Sequence, residues 1–282
     1  MKKNILKISL LALLTVSCNQ SKKSAYTQPA QSIEVITTDT LMADTLQFET
    51  LKIYANDSLF KGRSYPCYTL SLKVGYCKAP DNVADAVNKK INEAITQHNN
   101  PEIAQSLKDY ADSLKQATRQ DLLDDFDPDN EELSENLQYH YYIGGEFSPM
   151  PLYGYLSYTI SSDVYTGGPH GIREISYLNF NKTDGSFMTK EKVFNASKEK
   201  ELLNIILKKI MESRDCATLE ELHNKTSITL IGDLYVAENF LLEKTGVTFV
   251  YNTYEIASYS DGTILAFVPY EELNDILKIK VE

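Results

Sequence analysis

The chain has 282 residues, 43% of them hydrophobic and 24% charged, with a formal net charge of −11. Length and composition describe a globular protein of one or two domains. A net acidic surface excludes the usual electrostatic route to nucleic acid or to anionic lipid.

In chain order, Lys2, Lys3 and Lys7 precede an apolar run at residues 10–14, and Ser17 and Cys18 follow. That is the order of a secretory leader ending at a cysteine. Leu14-Thr15-Val16-Ser17-Cys18 resembles a bacterial lipobox, with Thr15 where leucine is more usual. The resemblance implies that residues 1–17 are a signal peptide and that Cys18 becomes the lipidated first residue. Loss of the three lysines takes the formal charge from −11 to −14. No later run approaches the ~18 apolar residues of a membrane-spanning helix, so the expected membrane contact is the lipid anchor only. Residues 18–45, rich in Ser, Thr, Gln and Lys, read as a flexible tether. Cys67 and Cys77 lie on one apparent strand, roughly 33 Å apart, and are not expected to bond each other. With Cys216 they make three thiols, so at least one stays unpaired.

Residues 65–76 alternate, with Tyr68, Leu70, Leu72, Val74 and Tyr76 on one face and Thr69, Ser71 and Lys73 on the other. That period of two predicts a half-buried strand. Val83, Val87, Ile91 and Ile95 recur every four residues and predict a helix. Asn100-Pro101 opens another, with the stripe Ile103, Leu107, Tyr110, Ala111 and Leu114. The acidic run at 124–135 ends it and reads as a solvated loop. Two strands follow. Tyr139, Tyr141 and Ile143 oppose His140 and Tyr142; Leu156, Tyr158, Ile160 and Val164 oppose Tyr153, Tyr155, Ser157, Thr159, Ser161 and Asp163. A strand at 172–181, a turn at Asp184-Gly185, a helix carrying Leu202, Leu203, Ile206, Leu207 and Ile210, a short helix at 219–223, and late strands beginning at Val247 and Ile264 complete the chain. Helices and antiparallel-looking strands come in blocks. The expected class is therefore α+β: antiparallel sheet packed against a few amphipathic helices, in two abutting subdomains.

The densest signal is Thr166-Gly167-Gly168-Pro169-His170-Gly171, between two strands. Gly167 and Gly168 can take positive φ and Pro169 stiffens the frame, so His170 is held on a rigid turn. The turn is either a connection whose histidine bonds a neighbouring carbonyl, or a ligand contact, or a catalytic position. The candidate ligand-binding residues are Tyr165, Thr166, Gly167, Gly168 and His170, with Tyr153 and Tyr155 as tyrosines on the polar side of their strand. No Gly-x-Ser-x-Gly elbow, phosphate loop or paired-cysteine zinc spacing is present, so no catalytic residue, metal ligand or cofactor is expected.

The turn, with Tyr177-Leu178-Asn179-Phe180-Asn181, Tyr251-Asn252-Thr253-Tyr254-Glu255-Ile256-Ala257-Ser258-Tyr259, Gly262 and Val268-Pro269-Tyr270, resembles the RsiV-like family, domain of unknown function 3298. The family is usually preceded by a domain catalogued as 4163. The resemblance implies such a domain at 46–160 and the RsiV-like domain at 161–282. Relatives include an anti-sigma factor whose external part binds lysozyme, and others place this region beside a polysaccharide deacetylase domain. Neither role transfers directly, since this chain lacks both a spanning run and the His-x-x-x-His pair of the deacetylase chemistry. The expected function is a non-enzymatic binding or sensing module of the cell envelope. Its ligand would be a lysozyme-like protein or a peptidoglycan glycan. The alternative is a peptidoglycan hydrolase or deacetylase, or its accessory domain.

Overall fold

The computed structural model describes residues 30–36, 46–57, 67–78, 81–124, 138–230 and 232–281. Six strands form the larger sheet: β1 (Ala30–Ile36), β2 (Phe48–Asp57), β3 (Tyr68–Cys77), β4 (Tyr139–Phe147), β5 (Tyr155–Tyr165) and β6 (Ile172–Asn181). They lie side by side in sequence order. Every neighbouring pair is antiparallel except β3 and β4, which run parallel. A parallel pair needs a crossover, and the helices α1 (Asn82–Thr96) and α2 (Ile103–Asp124) supply it.

Those helices form where the sequence predicts. Asp81 caps α1, its side chain accepting from Ala84 N at 2.7 Å, and Ala84, Val87, Ile91 and Ile95 are buried. In α2 the stripe Ile103, Leu107, Ala111 and Leu114 is buried. Both stripes pack on the sheet face that carries Leu51, Ile53, Leu70, Leu72, Tyr141 and Ile160, making the first core. The alternation of burial expected through Tyr76 weakens at Gly75, although the register with β2 is unbroken and Tyr76 still packs against the first core. The Tyr158 ring lies where a side chain at Gly145 would be, and its hydroxyl donates to Gly75 O at 2.8 Å. Beyond that point Tyr76 is half-buried and Cys77 is buried instead. The Asn88 side chain of α1 accepts from Cys77 N and donates to Cys77 O, both at 2.8 Å.

The second subdomain holds α3 (Lys190–Val193), α4 (Glu199–Ser213), α5 (Leu219–Lys225) and a three-stranded antiparallel sheet of β7 (Phe240–Leu242), β8 (Gly246–Tyr251) and β9 (Ile264–Pro269). Leu202, Ile206 and Ile210 of α4 pack with Phe194, Phe240, Phe249 and Val268 in a separate core. The class is α+β with two abutting subdomains. The first core extends to Phe180, and β5 runs unbroken across the join expected at 160–161, hydrogen-bonded to a strand on each side. Apart from Leu152 before β5, which joins the second core, the change of core falls after β6.

Part of the expected tether is ordered. Ala30–Ile36 forms β1, seven residues in unbroken register with β2. An edge strand is held by backbone pairing and needs little side-chain burial; Ser32, Ile33 and Glu34 are all exposed. Cys18 and the acidic stretch after Asp124 lie outside the described residues. Cys67, Cys77 and Cys216 are all buried, and no disulfide joins any two of them. Among the described residues, no helix is long and apolar enough to cross a membrane.

Candidate functional site

The expected turn is the β5–β6 hairpin. Gly167 has φ +93° and Gly168 φ +87°, the left-handed region that favours glycine. A side chain at Gly168 would meet nothing within 4 Å, so the requirement there is conformational rather than steric. Thr166, Gly167, Gly168 and Pro169 are exposed, whereas His170 is half-buried.

His170 is engaged on three sides. Its ring stacks on Tyr259 at 3.6 Å between centroids and 17° between planes. Nδ1 lies 3.1 Å from Gly171 O and Nε2 lies 3.3 Å from the Tyr254 hydroxyl. A neutral ring protonated at Nδ1 satisfies both, donating to the carbonyl and accepting from the tyrosine. Tyr254 and Tyr259 belong to the loop after β8, where Tyr254 itself has φ +72°. That loop is fastened by Ser227 and Asp261. Ser227 N and Oγ donate to Asp261 Oδ2 at 3.0 and 2.5 Å, and Ser258 N donates to Ser227 Oγ at 2.7 Å. His170 thus joins the hairpin to the second subdomain.

The same joint continues along the edge of β6. Asn252 Oδ1 accepts from Ile175 N at 2.8 Å and its Nδ2 donates to Ile175 O at 2.9 Å. Asn239 Oδ1 accepts from Tyr177 N at 2.8 Å, and its Nδ2 donates to Ile175 O at 2.7 Å. From the β6 side, Asn179 Nδ2 donates to Phe240 O at 2.7 Å and its Oδ1 accepts from Leu242 N at 2.9 Å. Buried asparagines substitute for a seventh strand, pairing backbone groups that an edge would leave open. Asn179 and Asn252, both in the quoted motifs, are therefore parts of the joint.

Tyr165 has other partners. Its hydroxyl donates to Gly168 O at 2.9 Å, and its ring faces His140 at 5.8 Å. His140 also stacks with Tyr142 at 5.0 Å, and its Nε2 lies 3.2 Å from Asp163 Oδ1. Arg173 Nε donates to Asp163 Oδ2 at 2.8 Å. Burial tends to raise the Asp163 pKa, but the hydrogen bonds from His140 and Arg173 outweigh it and hold the carboxyl below its ordinary value.

These side chains stand on the sheet face opposite the helices. Strand register arranges that face in rows. One row runs Tyr54, Ser71, Tyr142, Asp163 and Arg173; a second runs Lys52, Lys73, Gly144 and Ser161; a third runs Asn56, Thr69, His140 and Tyr165. Tyr142 is 44% exposed and Tyr54 42%. No aliphatic side chain occupies any of these positions on β2 to β5.

Tyr153 and Tyr155 are not part of this group. They lie at the opposite end of β5, roughly 33 Å from Tyr165. Tyr153 is 81% exposed, and Tyr155 lines a cavity of about 130 Å³ with Leu46, Phe48, Phe147, Pro149 and Pro151. Tyr54 was missed by sequence reasoning, although Leu51, Ile53 and Ala55 alternating with Lys52, Tyr54 and Asn56 carry the strand signal. Nothing local announces that Tyr254 and Tyr259 meet His170. Among the described residues no cluster of three or more His, Cys, Asp or Glu side chains is arranged to hold a metal ion.

Residues 190–271 match the family model described as "Protein of unknown function (DUF3298)". The chain contains a DUF3298 domain. Two solved structures that it resembles carry the same family name. A DUF3298 family member from Bacteroides fragilis is 25% identical, with a TM-score of 0.74 over 83% of this chain and 94% of that one. A second, from Pseudomonas aeruginosa, is 17% identical, with a TM-score of 0.59 over 83% of this chain and 95% of that one. No curated protein matches. The DUF3298 segment includes Asn239, Asn252, Tyr254 and Tyr259, while the open sheet face lies wholly N-terminal to it.

Proposed function

We propose that this chain is a non-enzymatic binding or sensing module of the cell envelope, anchored through a lipid on Cys18, and that the open face of the six-stranded sheet takes the ligand. The observation that carries this reading is the row of exposed tyrosines on a face built without aliphatic side chains. Aromatic rings give large contact area at low entropic cost, and a sheet under a two-helix layer holds them rigidly. The His170 turn supports the reading indirectly: its histidine is used in the joint between subdomains, which leaves recognition to the sheet face. The leader-like N-terminus supports the envelope location. The finer resemblance, an RsiV-like domain preceded by a 4163-like one, agrees with an external ligand of protein or glycan type.

The test is capture from envelope extract by the full-length chain, comparing wild type with Tyr54→Ala/Tyr142→Ala at matched thermal stability. A ligand retained by wild type and lost by the variant is the expected outcome. Equal recovery by both would remove the sheet face from the proposal.

A further inference from the structure

The reading of the sheet face as a binding surface can be taken to a ligand class, and this step rests on that reading. Ser71 stands between Tyr54 and Tyr142, paired with Tyr54 across β2–β3 and with Tyr142 across β3–β4. Two strand spacings separate the backbone positions of the tyrosines by about 10 Å and leave a shallow slot over Ser71 between them. One row along, Lys52 and Lys73 are directly opposed, and the next position is Gly144, which adds no side chain. On the other side lie Asn56 and Thr69; Asn56 Nδ2 already donates to the Tyr54 hydroxyl at 3.0 Å.

We infer that this slot binds a carboxylate-bearing polysaccharide, one sugar ring lying over Ser71 between the tyrosines and its carboxylate directed to Lys52 and Lys73. Three observations carry the assignment. A pyranose has apolar C–H faces and a rim of hydroxyls, which matches tyrosines on either side of a serine hydroxyl. A protein partner would instead ask for an apolar centre, and the rows on β2 to β5 hold no aliphatic side chain. Lastly, like charges directly opposite each other on a sheet work against the fold, and an anion between them removes that penalty. Of the nearby carboxylates, Glu34 of β1 stands beside Lys52 only, on the side away from Lys73, and Glu146 of β4 stands one row beyond Gly144, diagonal to Lys73. Asp163, beyond Tyr142, is engaged by His140 and Arg173. The lysine pair is thus the local exception on a chain of net charge −11.

The experiment is calorimetric titration of the purified full-length chain with three uronic-acid polysaccharides: polygalacturonate, alginate and hyaluronate. Their carboxyl-reduced forms and polyglutamate serve as controls. Wild type should bind at least one acidic polysaccharide and bind its reduced form more weakly. Lys52→Gln/Lys73→Gln should erase that difference while leaving affinity for the reduced form unchanged. Tyr142→Ala should weaken both by roughly tenfold or more, as loss of an aromatic anchor does. Polyglutamate binding as tight as the polysaccharides would mean that charge alone acts, and would overturn the inference. If no polysaccharide binds while envelope capture still depends on Tyr54 and Tyr142, the glycan assignment falls and the binding face stands. If Tyr54→Ala/Tyr142→Ala alters neither assay, both fall.

Discussion

Replacing Asn252 by alanine tests whether the asparagine joint holds the two subdomains together. Asn252 is 4% exposed and makes two hydrogen bonds to Ile175 on the edge of β6. Each is worth about 1 kcal/mol net, and a buried N–H left without a partner costs about 1–3 kcal/mol. Ile175 O keeps its bond from Asn239 Nδ2, so only the Ile175 N–H is orphaned. The expected loss is therefore about 2–4 kcal/mol. For a folded unit of this size each kcal/mol moves Tm by about 2–4 °C, so the variant should melt roughly 5–15 °C below wild type. Asn252→Asp should be worse than alanine, since it keeps the acceptor but sets a carboxylate against the Ile175 carbonyl. Differential scanning calorimetry reads both variants. A Tm for Asn252→Ala within about 2 °C of wild type would refute the claim that this side chain completes the sheet.

Three further outcomes follow from the same geometry. His170→Ala removes a stacked contact and two hydrogen bonds, so stability should fall by about 1–3 kcal/mol in a melting curve; a variant as stable as wild type would contradict the anchoring role. Burial pushes the Asp261 pKa up, but hydrogen bonds from Ser227 and Ser258 outweigh this and lower it overall. A depressed carboxyl stabilises the fold above its unfolded value and loses that effect as pH falls through its folded value. The Tm gap between wild type and Asp261→Asn should therefore be full above about pH 4 and shrink below it; a gap independent of pH would argue against the network. Cys18→Ala should release the protein from membranes or block its processing, and a variant that still partitions with membranes and carries acyl chains would end the lipoprotein proposal.

Much of this architecture was readable before any coordinates. The alternation through most of β3 and through β4, the strand at β6 and the four-residue spacing of Val87, Ile91 and Ile95 report local geometry, and they appear as expected. In β5 the same alternation is overridden at Ser157, buried where its hydroxyl donates to Leu242 O of the second subdomain. What escaped is what depends on partners distant in sequence. β1 is a polar strand that exists because β2 offers it an edge, so its composition resembles a tether. Tyr76 keeps its expected face, but the Tyr158 ring that reaches across from β5 to Gly75 was not legible. The His170 turn was visible as a rigid hairpin, but Tyr254 is 84 residues away, and only the folded chain shows that the histidine is occupied. Asn179 and Asn252 stood out as motif residues without revealing that their task is to close an edge.

The parallel pairing of β3 with β4 has a consequence for how the chain comes into being. β1, β2 and β3 can pair as soon as Cys77 is made, but the inner edge of β3 must wait for β4, which begins only at Tyr139. At about 5–20 residues per second, that interval lasts roughly 3–12 s. Throughout it, the strand carrying Leu70, Leu72 and Val74 presents an unpaired hydrophobic edge of the kind that recruits other chains. The nascent protein is therefore most exposed to misassembly during synthesis of α1 and α2, before any part of the second subdomain has been made.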